Sequence, residues 1–292
     1  MTKTNAIITA SYAPDFERCK ILCESMDRYA TGYECHYILV DVPDLALFKQ
    51  LEGPKRKIIT DKQLLPWWLY RVPKLLSPNG RRVWVSPLTV PLHGWHVQQI
   101  KRIAVAFLLT EDALLYCDSD TVFVKPFNVE DIWHGDALRL WREEKGALFA
   151  ESDHLQWKAH AGRALSIPEA EQSEHNYVCT FLSWNRQTVI DMCNHMATKH
   201  GRPWISVIGA SRKFSECMLY GAYVDSILKG EGHWGTDVML CPMCWFDPAP
   251  SDEELIKFMN DLTQEQVAFG VQSFIPMDPE KFRKLTSGYK PN

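Results

Sequence analysis

The sequence predicts an α/β protein in which helices flank a mixed, mainly parallel central sheet. Two observations carry this expectation. Over the first 60 residues, short apolar runs of strand character alternate with stretches of helical period, in the β-α-β-α-β order that builds parallel sheets. Further on, the apolar run Ala113-Leu-Leu-Tyr-Cys117 reads as a fully buried strand and stops at the acidic triplet Asp118-Ser-Asp120. The 292 residues allow one large domain or two small ones, and no linker splits them, so a single domain over 1–292 is expected.

Taken in order, residues 6–10 form the first strand and end in the polar turn Ser11-Tyr-Ala-Pro-Asp15. Residues 16–29 carry Phe16, Cys19, Leu22, Cys23 and Met26 at helical spacing. A second strand over 34–40 ends at Asp41, and 57–60 supplies a third. From 63 to 95 the period is lost. Pro66, Pro73, Pro78, Pro87 and Pro91 punctuate a segment holding Trp67, Trp68, Tyr70, Trp84 and Trp95, the texture of a long binding loop. Residues 95–109 return to a helix, with Ile100, Ile103, Ala104 and Phe107 on one stripe and Gln98, Gln99, Lys101 and Arg102 on a polar face. After Asp120 come a strand at 121–124, an acidic loop, a strand at 177–184 and a helix at 185–196. Mixed pieces at 214–224 and 233–240 follow, then a helix at 253–260 and a last strand at 267–274.

Lys plus Arg number 32 against 36 Asp plus Glu, so the chain lacks the cationic excess that drives nucleic-acid binding, and no nucleic-acid partner is expected. Nine cysteines form no disulfide framework, and Cys241-Pro-Met-Cys244 has no second pair with zinc spacing, which suits a reducing compartment. The apolar segment near the N-terminus is too short for a signal core, and no stretch reaches a membrane span. A cytoplasmic protein is expected, with peripheral contact to the inner membrane face compatible.

In an extended segment residues i and i+2 face the same way, so Asp118 and Asp120 are expected to project together. Two hard carboxylates on one face suit Mn²⁺ or Mg²⁺ carrying a diphosphate. The carboxyl end of a strand is also where open α/β sheets bind ligands. The alternative is a turn in which the two carboxylates cap local amides.

The stretch from Gly94-Trp-His-Val-Gln-Gln-Ile-Lys101 through Leu115-Tyr-Cys-Asp-Ser-Asp-Thr-Val-Phe-Val-Lys-Pro126 resembles GT-A glycosyltransferases, in which a helix precedes a strand ending in a metal-binding Asp-x-Asp. More narrowly, it is similar to a group of bacterial polysaccharide-locus proteins of largely unassigned specificity. Ile8-Thr-Ala-Ser-Tyr-Ala-Pro-Asp15, Ser215-Glu-Cys-Met-Leu-Tyr-Gly221 and Val271-Gln-Ser273 fit that group as well. The resemblance implies a GT-A-like, Rossmann-related fold, with residues 1–125 as the nucleotide-sugar-binding half and 126–292 as the acceptor-binding half. It implies transfer of a sugar from a nucleotide-diphosphate-sugar, a UDP-sugar first among them, to a saccharide or lipid-linked acceptor, with Mn²⁺ or Mg²⁺ as cofactor.

Residue by residue, the resemblance makes Thr9, Ser11 and Tyr12 the loop that grips base and ribose, and Asp41 a further base or ribose contact. Gln99 or Lys101 would lean on phosphate or sugar hydroxyls. Asp118 and Ser119 would touch the donor, and Asp118 and Asp120 the metal. A late metal ligand, commonly a His, is represented by His233. Trp67, Trp68 and Tyr70 are expected to border the acceptor, because the helix–strand unit after them builds the donor side. Glu216 is the candidate catalytic base, sharing a helical face with Tyr220; favourable capping after Ser215 explains a Glu there equally well. Asp237, Asp153 and Glu151 are its competitors.

Leu114-Leu-Tyr-Cys-Asp-Ser-Asp-Thr-Val122 also resembles the first motif of haloacid-dehalogenase-like phosphatases, with Asp118 as nucleophile and Asp120 as acid/base. In that family the motif follows the first strand, whereas here further strands precede it, and no Gly-Asp-Asp-like acidic pair follows downstream. A non-catalytic, GT-A-shaped carbohydrate-binding protein is the non-enzymatic alternative, and the intact Asp118/Asp120 pair argues against it.

Overall fold

Strands β1 (Asn5–Ala10), β2 (Cys35–Val40), β3 (Arg56–Thr60), β4 (Ala113–Cys117) and β5 (Phe181–Asn185) form the central sheet in the spatial order β5-β4-β1-β2-β3. The structure is a computed structural model that describes residues 3–77, 81–144, 152–244, 249–273, 275–276 and 278–289. β1 runs parallel to β2 on one side and to β4 on the other, β3 continues parallel to β2, and β5 closes the sheet antiparallel to β4. This is the mixed, mainly parallel α/β sheet the sequence predicts. β1 and β4 are buried at every position, which is why β4 reads as an unbroken apolar run and β1 as a mainly apolar one rather than as alternating strands.

The strand order positions the site. From β1 the chain moves outward to β2 and β3, then returns to place β4 on the opposite flank of β1. The carboxyl ends of β1 and β4 are therefore a topological switch point, where the departing loops diverge and leave a crevice. Ser11 and Tyr12 leave β1 there, and Asp118 leaves β4.

Five helices cover the sheet: α1 (Phe16–Tyr29), α2 (Gly94–Ala104), α3 (Ser152–Leu165), α4 (Arg186–His200) and α5 (Glu216–Ala222). α1 buries Cys19, Leu22, Cys23 and Met26, the stripe its spacing predicts. α2 ends earlier than expected, its last turn tightening to 3-10 geometry over Val105–Phe107. Its expected polar face is not solvated: Gln99, Lys101 and Arg102 are all buried. The helix is covered on that side too, by the 63–95 segment and by α5, so these polar groups find partners indoors.

Residues 63–95 are more ordered than their prolines suggest. Tyr70–Arg71, Val83–Val85 and Leu92–His93 form a three-stranded antiparallel sheet, in which Trp84 lies opposite both Arg71 and Leu92. Trp84 and Leu92 are buried beneath it. Asp41, fully buried at the end of β2, ties this sheet to the core. Its carboxylate lies 3.0 Å from Lys101 Nζ, 3.0 Å from Arg82 Nη1 and 3.3 Å from Arg71 Nη1.

Several elements differ from expectation. The region read as an acidic loop contains the strand Ala137–Trp141 and helix α3, whose buried contacts are largely small residues such as Ala161 and Ala164 that leave a weak periodic trace. β5 starts at Phe181, because the stretch 177–180 is irregular. The strand His233–Thr236 extends the Ala137–Trp141 pairing, the last strand is Ala268–Val271, and Pro279–Gly288 adds a terminal helix. The expected strand end at Phe274 lies outside the described residues. Among the described residues, no helix is long and apolar enough to cross a membrane.

The Asp41 cluster generates a stability prediction. Burial alone would raise the Asp41 carboxyl, but Lys101, Arg82 and Arg71 outweigh it and hold the group below the ordinary carboxylate range. Asp41→Asn strands the buried Lys101 ammonium and should cost about 3–5 kcal/mol, read by chemical denaturation at pH 7. A lowered carboxyl contributes stability above its unfolded pKa of about 3.9 and loses it as pH falls through the native value. The gap between wild type and variant should therefore narrow below about pH 4. A gap independent of pH would refute the ion-pair account.

Candidate functional site

Beyond Cys117 the chain leaves β4 in a tight turn. Thr121 N donates to Asp118 O at 3.1 Å, and Val271 N donates to Asp120 O at 3.1 Å, pinning the turn against the Ala268–Val271 strand. Asp118 and Asp120 thus share a cavity through turn geometry, not through the strand alternation expected from sequence. Asp120 Oδ1 is buried with no hydrogen-bond partner.

A cavity of about 310 Å³ opens over this turn; its walls include Tyr12, Arg82, Gln99, Ser119, Asp120 and Gln272. A second cavity, of about 500 Å³, adjoins it and is lined by apolar groups including Trp157, Met239, Pro242 and Met243. Both are bounded by Trp95, Arg102, Asp118, Glu216 and Gln272, so these residues stand at the junction.

Arg102 dominates that junction. Its guanidinium is almost wholly buried, with Nη1 3.1 Å from Glu216 Oε1 and 3.5 Å from Asp118 Oδ1, and it sits 5.0 Å from the Tyr116 ring centre. Burial would lower its pKa, yet the two carboxylates raise it, so it stays charged. Burial pushes the carboxyls of Asp118 and Glu216 up, and Arg102 pulls both back. Asp120 rises to about 7, first through burial and then through the charge of Asp118. Gln99 Oε1 accepts from Glu216 N at 3.0 Å, while Gln99 Nε2 and Arg102 Nη2 remain buried without partners. Unused donors and an unused carboxylate oxygen in one wall match a ligand that carries oxygens together with a cation.

Tyr12 lines the polar cavity, its ring 4.2 Å from the Arg82 guanidinium. Ser119 and Gln99 line it as well, and Ser11 is buried with an unpartnered Oγ. Thr9 is fully buried, and its hydroxyl lies 2.9 Å from His36 Nε2. Three sets of expected residues lie elsewhere. Asp41 and Lys101 line neither cavity, because they neutralise each other inside the core. His233 is engaged by protein groups: Nδ1 donates to Glu231 O at 2.9 Å, and Nε2 accepts from Tyr220 OH at 2.7 Å. Trp67 and Tyr70 are exposed and Trp68 half-buried, and none lines either cavity; Trp95 and Trp157 supply the aromatic walls instead.

For Glu216 both readings apply. Ser215 caps α5, its Oγ accepting from Met218 N at 3.4 Å, and the Glu216 carboxylate still reaches the junction. Tyr220 turns away, accepting from Asn185 N at 2.7 Å, and the Tyr177 ring lies against Gly221 where a Cβ would sit. Among the competitors, Asp153 pairs with Lys213 and Asp237 is exposed, while Glu151 lies outside the described residues. Sequence reasoning missed Arg102, Arg82, Trp95, Trp157 and Gln272 as wall residues. For three wall residues a signal existed: Trp95, Gln99 and Arg102 stand at i, i+4 and i+7, one face of a helix.

The chain belongs to a family of unknown function, DUF6492, whose model matches residues 1–238. No curated protein matches it. The match stops short of Gln272 and Ser273, so one wall of the polar cavity comes from outside the matched region.

The junction predicts a coupled response. Arg102→Met leaves the buried Glu216 and the half-buried Asp118 without their cation and should cost about 3–5 kcal/mol. Adding Glu216→Gln should recover at least about 1 kcal/mol of that loss in a double-mutant cycle. Additive losses in denaturant titrations would mean that the two side chains do not interact.

Proposed function

We propose that this protein is a metal-dependent glycosyltransferase of the GT-A kind, using a nucleotide-diphosphate-sugar donor. The observation that carries the reading is the meeting of two unlike cavities at Asp118 and Glu216, one polar and acidic, the other aromatic and apolar. Such a layout lets two substrates approach head to head, with the reacting atoms where the walls are shared.

The donor set fits a divalent cation. Asp120 offers a buried oxygen without a partner, and Asp118 beside it raises the price of leaving both carboxylates ionised without one. Among the described residues, no cluster of three or more His, Cys, Asp and Glu could hold a metal, so diphosphate oxygens and water would complete the shell. Bound there, Mn²⁺ or Mg²⁺ would neutralise charge developing on the departing diphosphate. The protein's own groups take the remaining tasks. Tyr12, backed by Arg82, offers a face for the base, with a UDP-sugar the first donor to try. Gln99 Nε2 and Arg102 Nη2 donate to phosphate or sugar oxygens. Trp95 and Trp157 present flat apolar faces to a saccharide or lipid-linked acceptor. Glu216, kept ionised by Arg102 and made more basic by burial, accepts the proton of the attacking hydroxyl if the reaction inverts. The setting would be the cytoplasm, in synthesis of a bacterial surface polysaccharide or glycoconjugate.

Two variants test this reading. Asp120→Asn should abolish Mn²⁺-dependent binding of a nucleoside diphosphate in calorimetry while the circular dichroism spectrum and melting stay native-like. Glu216→Gln should leave donor affinity near normal and lower transfer by about 10² or more. Wild-type metal-dependent affinity in the Asp120 variant would remove the central claim. Phosphate release from an aryl phosphate without sugar transfer would favour the phosphatase reading instead.

A further inference from the structure

We propose that the antiparallel sheet formed within residues 63–95 is a docking surface for an anionic phospholipid bilayer. Three independent observations converge on it. The first is charge. Between Asp61 and Glu111 there is no acidic residue in a chain whose net charge is −4; Arg71 and Arg82 are taken up by Asp41, and Lys62 and Arg81 are exposed. The second is apolar exposure. Of thirteen large apolar side chains exposed among the described residues, seven fall between 67 and 95, a span of 29 residues out of 292, so the exposure is concentrated and not scattered.

The third is the arrangement of those side chains. Arg71 and Trp84 are register partners, and Trp84 is buried, so the alternation of the strands turns the neighbouring pair, Tyr70 and Val85, to the outer face. Both of that pair are exposed. The turn Lys74–Leu76 connects these strands and carries Leu75 at 99% and Leu76 at 75% exposure, while Trp67 on the approach is 81% exposed. Exposed leucines, aromatic rings and the cations Lys62 and Arg81 are what a membrane interface accommodates: aliphatic groups enter the acyl boundary, rings sit among the headgroups, and ammonium and guanidinium groups meet lipid phosphates.

The charge pattern argues for lipid over other occupants. A second copy of the chain, docked through the same face, would set these cations against their own equivalents, because a two-fold interface repeats one patch on both sides. The surface also borders the site: Arg82 lines the polar cavity and Trp95 lines both. Docking would therefore hold the cavity mouths close to the bilayer, whatever reaction they support.

The test is co-sedimentation of the full chain with vesicles of phosphatidylcholine alone or with phosphatidylglycerol added. The protein should partition onto the anionic vesicles at least about tenfold more strongly than onto the neutral ones, and high salt should reverse it. Leu75→Glu/Leu76→Glu and, separately, Lys62→Glu/Arg81→Glu should each cut partitioning by about tenfold or more. Nucleotide binding in solution should stay unchanged in both variants, so failed docking and failed donor binding are read separately. Equal binding to both vesicle types, no binding to either, or partitioning unmoved by both variants would overturn the proposal. So would a dimer that forms without lipid and is lost in the Leu75/Leu76 variant, since that assigns the face to a second copy.

Discussion

Two neighbouring cations on one buried helix constrain most of this structure. Consecutive residues of an α-helix diverge by about 100°, so Lys101 and Arg102 cannot share a partner. Lys101 reaches Asp41 at the end of β2, and Arg102 reaches Asp118 beyond β4 and Glu216 at the start of α5. Neither cation tolerates burial unmatched. Helix α2 thereby ties together two strand ends, α5 and the sheet from 63–95, and it does so at the topological switch point where a ligand crevice forms.

This arrangement leaves the site electrically unfinished in a specific way. Arg102 serves Glu216 and Asp118, but among the described residues Asp120 Oδ1 has no hydrogen-bond partner, and Asp118 adds to the burden of its ionisation. Around these carboxylates the wall offers donors that no protein group uses. A surface optimised for stability alone would satisfy or remove such groups, and under the proposed function they are the ones that meet the ligand. The division of the crevice into a polar and an apolar chamber extends that logic, since each chamber suits a different substrate chemistry.

Much of the fold was legible because burial writes itself into composition. A strand covered on both faces must be apolar throughout, so β1 and β4 stood out, and α1 displayed its stripe for the same reason. α3 was not legible, because its buried contacts are partly alanines that carry little periodic weight. The 63–95 segment misled in the other direction: its prolines suggested irregular chain, yet they sit outside the few paired positions and leave a small sheet intact. Of the residues singled out from motif and position, Asp118, Asp120, Tyr12, Gln99 and Glu216 line the polar cavity. Arg102 was placed on the polar face of its helix and given no role, because local pattern cannot tell that a second layer will cover it. His233 and the pair Asp41/Lys101 misled for a related reason: a polar residue looks like a ligand contact until its internal partner is seen.

By itself, then, the sequence determined the β-α-β-α-β opening, helix α1 and the acidic triplet at the end of β4, since these depend on neighbours within a few residues. Only the tertiary structure decided which charges pair inside, which carboxylate oxygen is left without a partner, and which aromatic rings wall the cavities. Those outcomes depend on contacts between residues far apart in the chain, such as Asp41 with Lys101 and Arg102 with Glu216, and no local period records them.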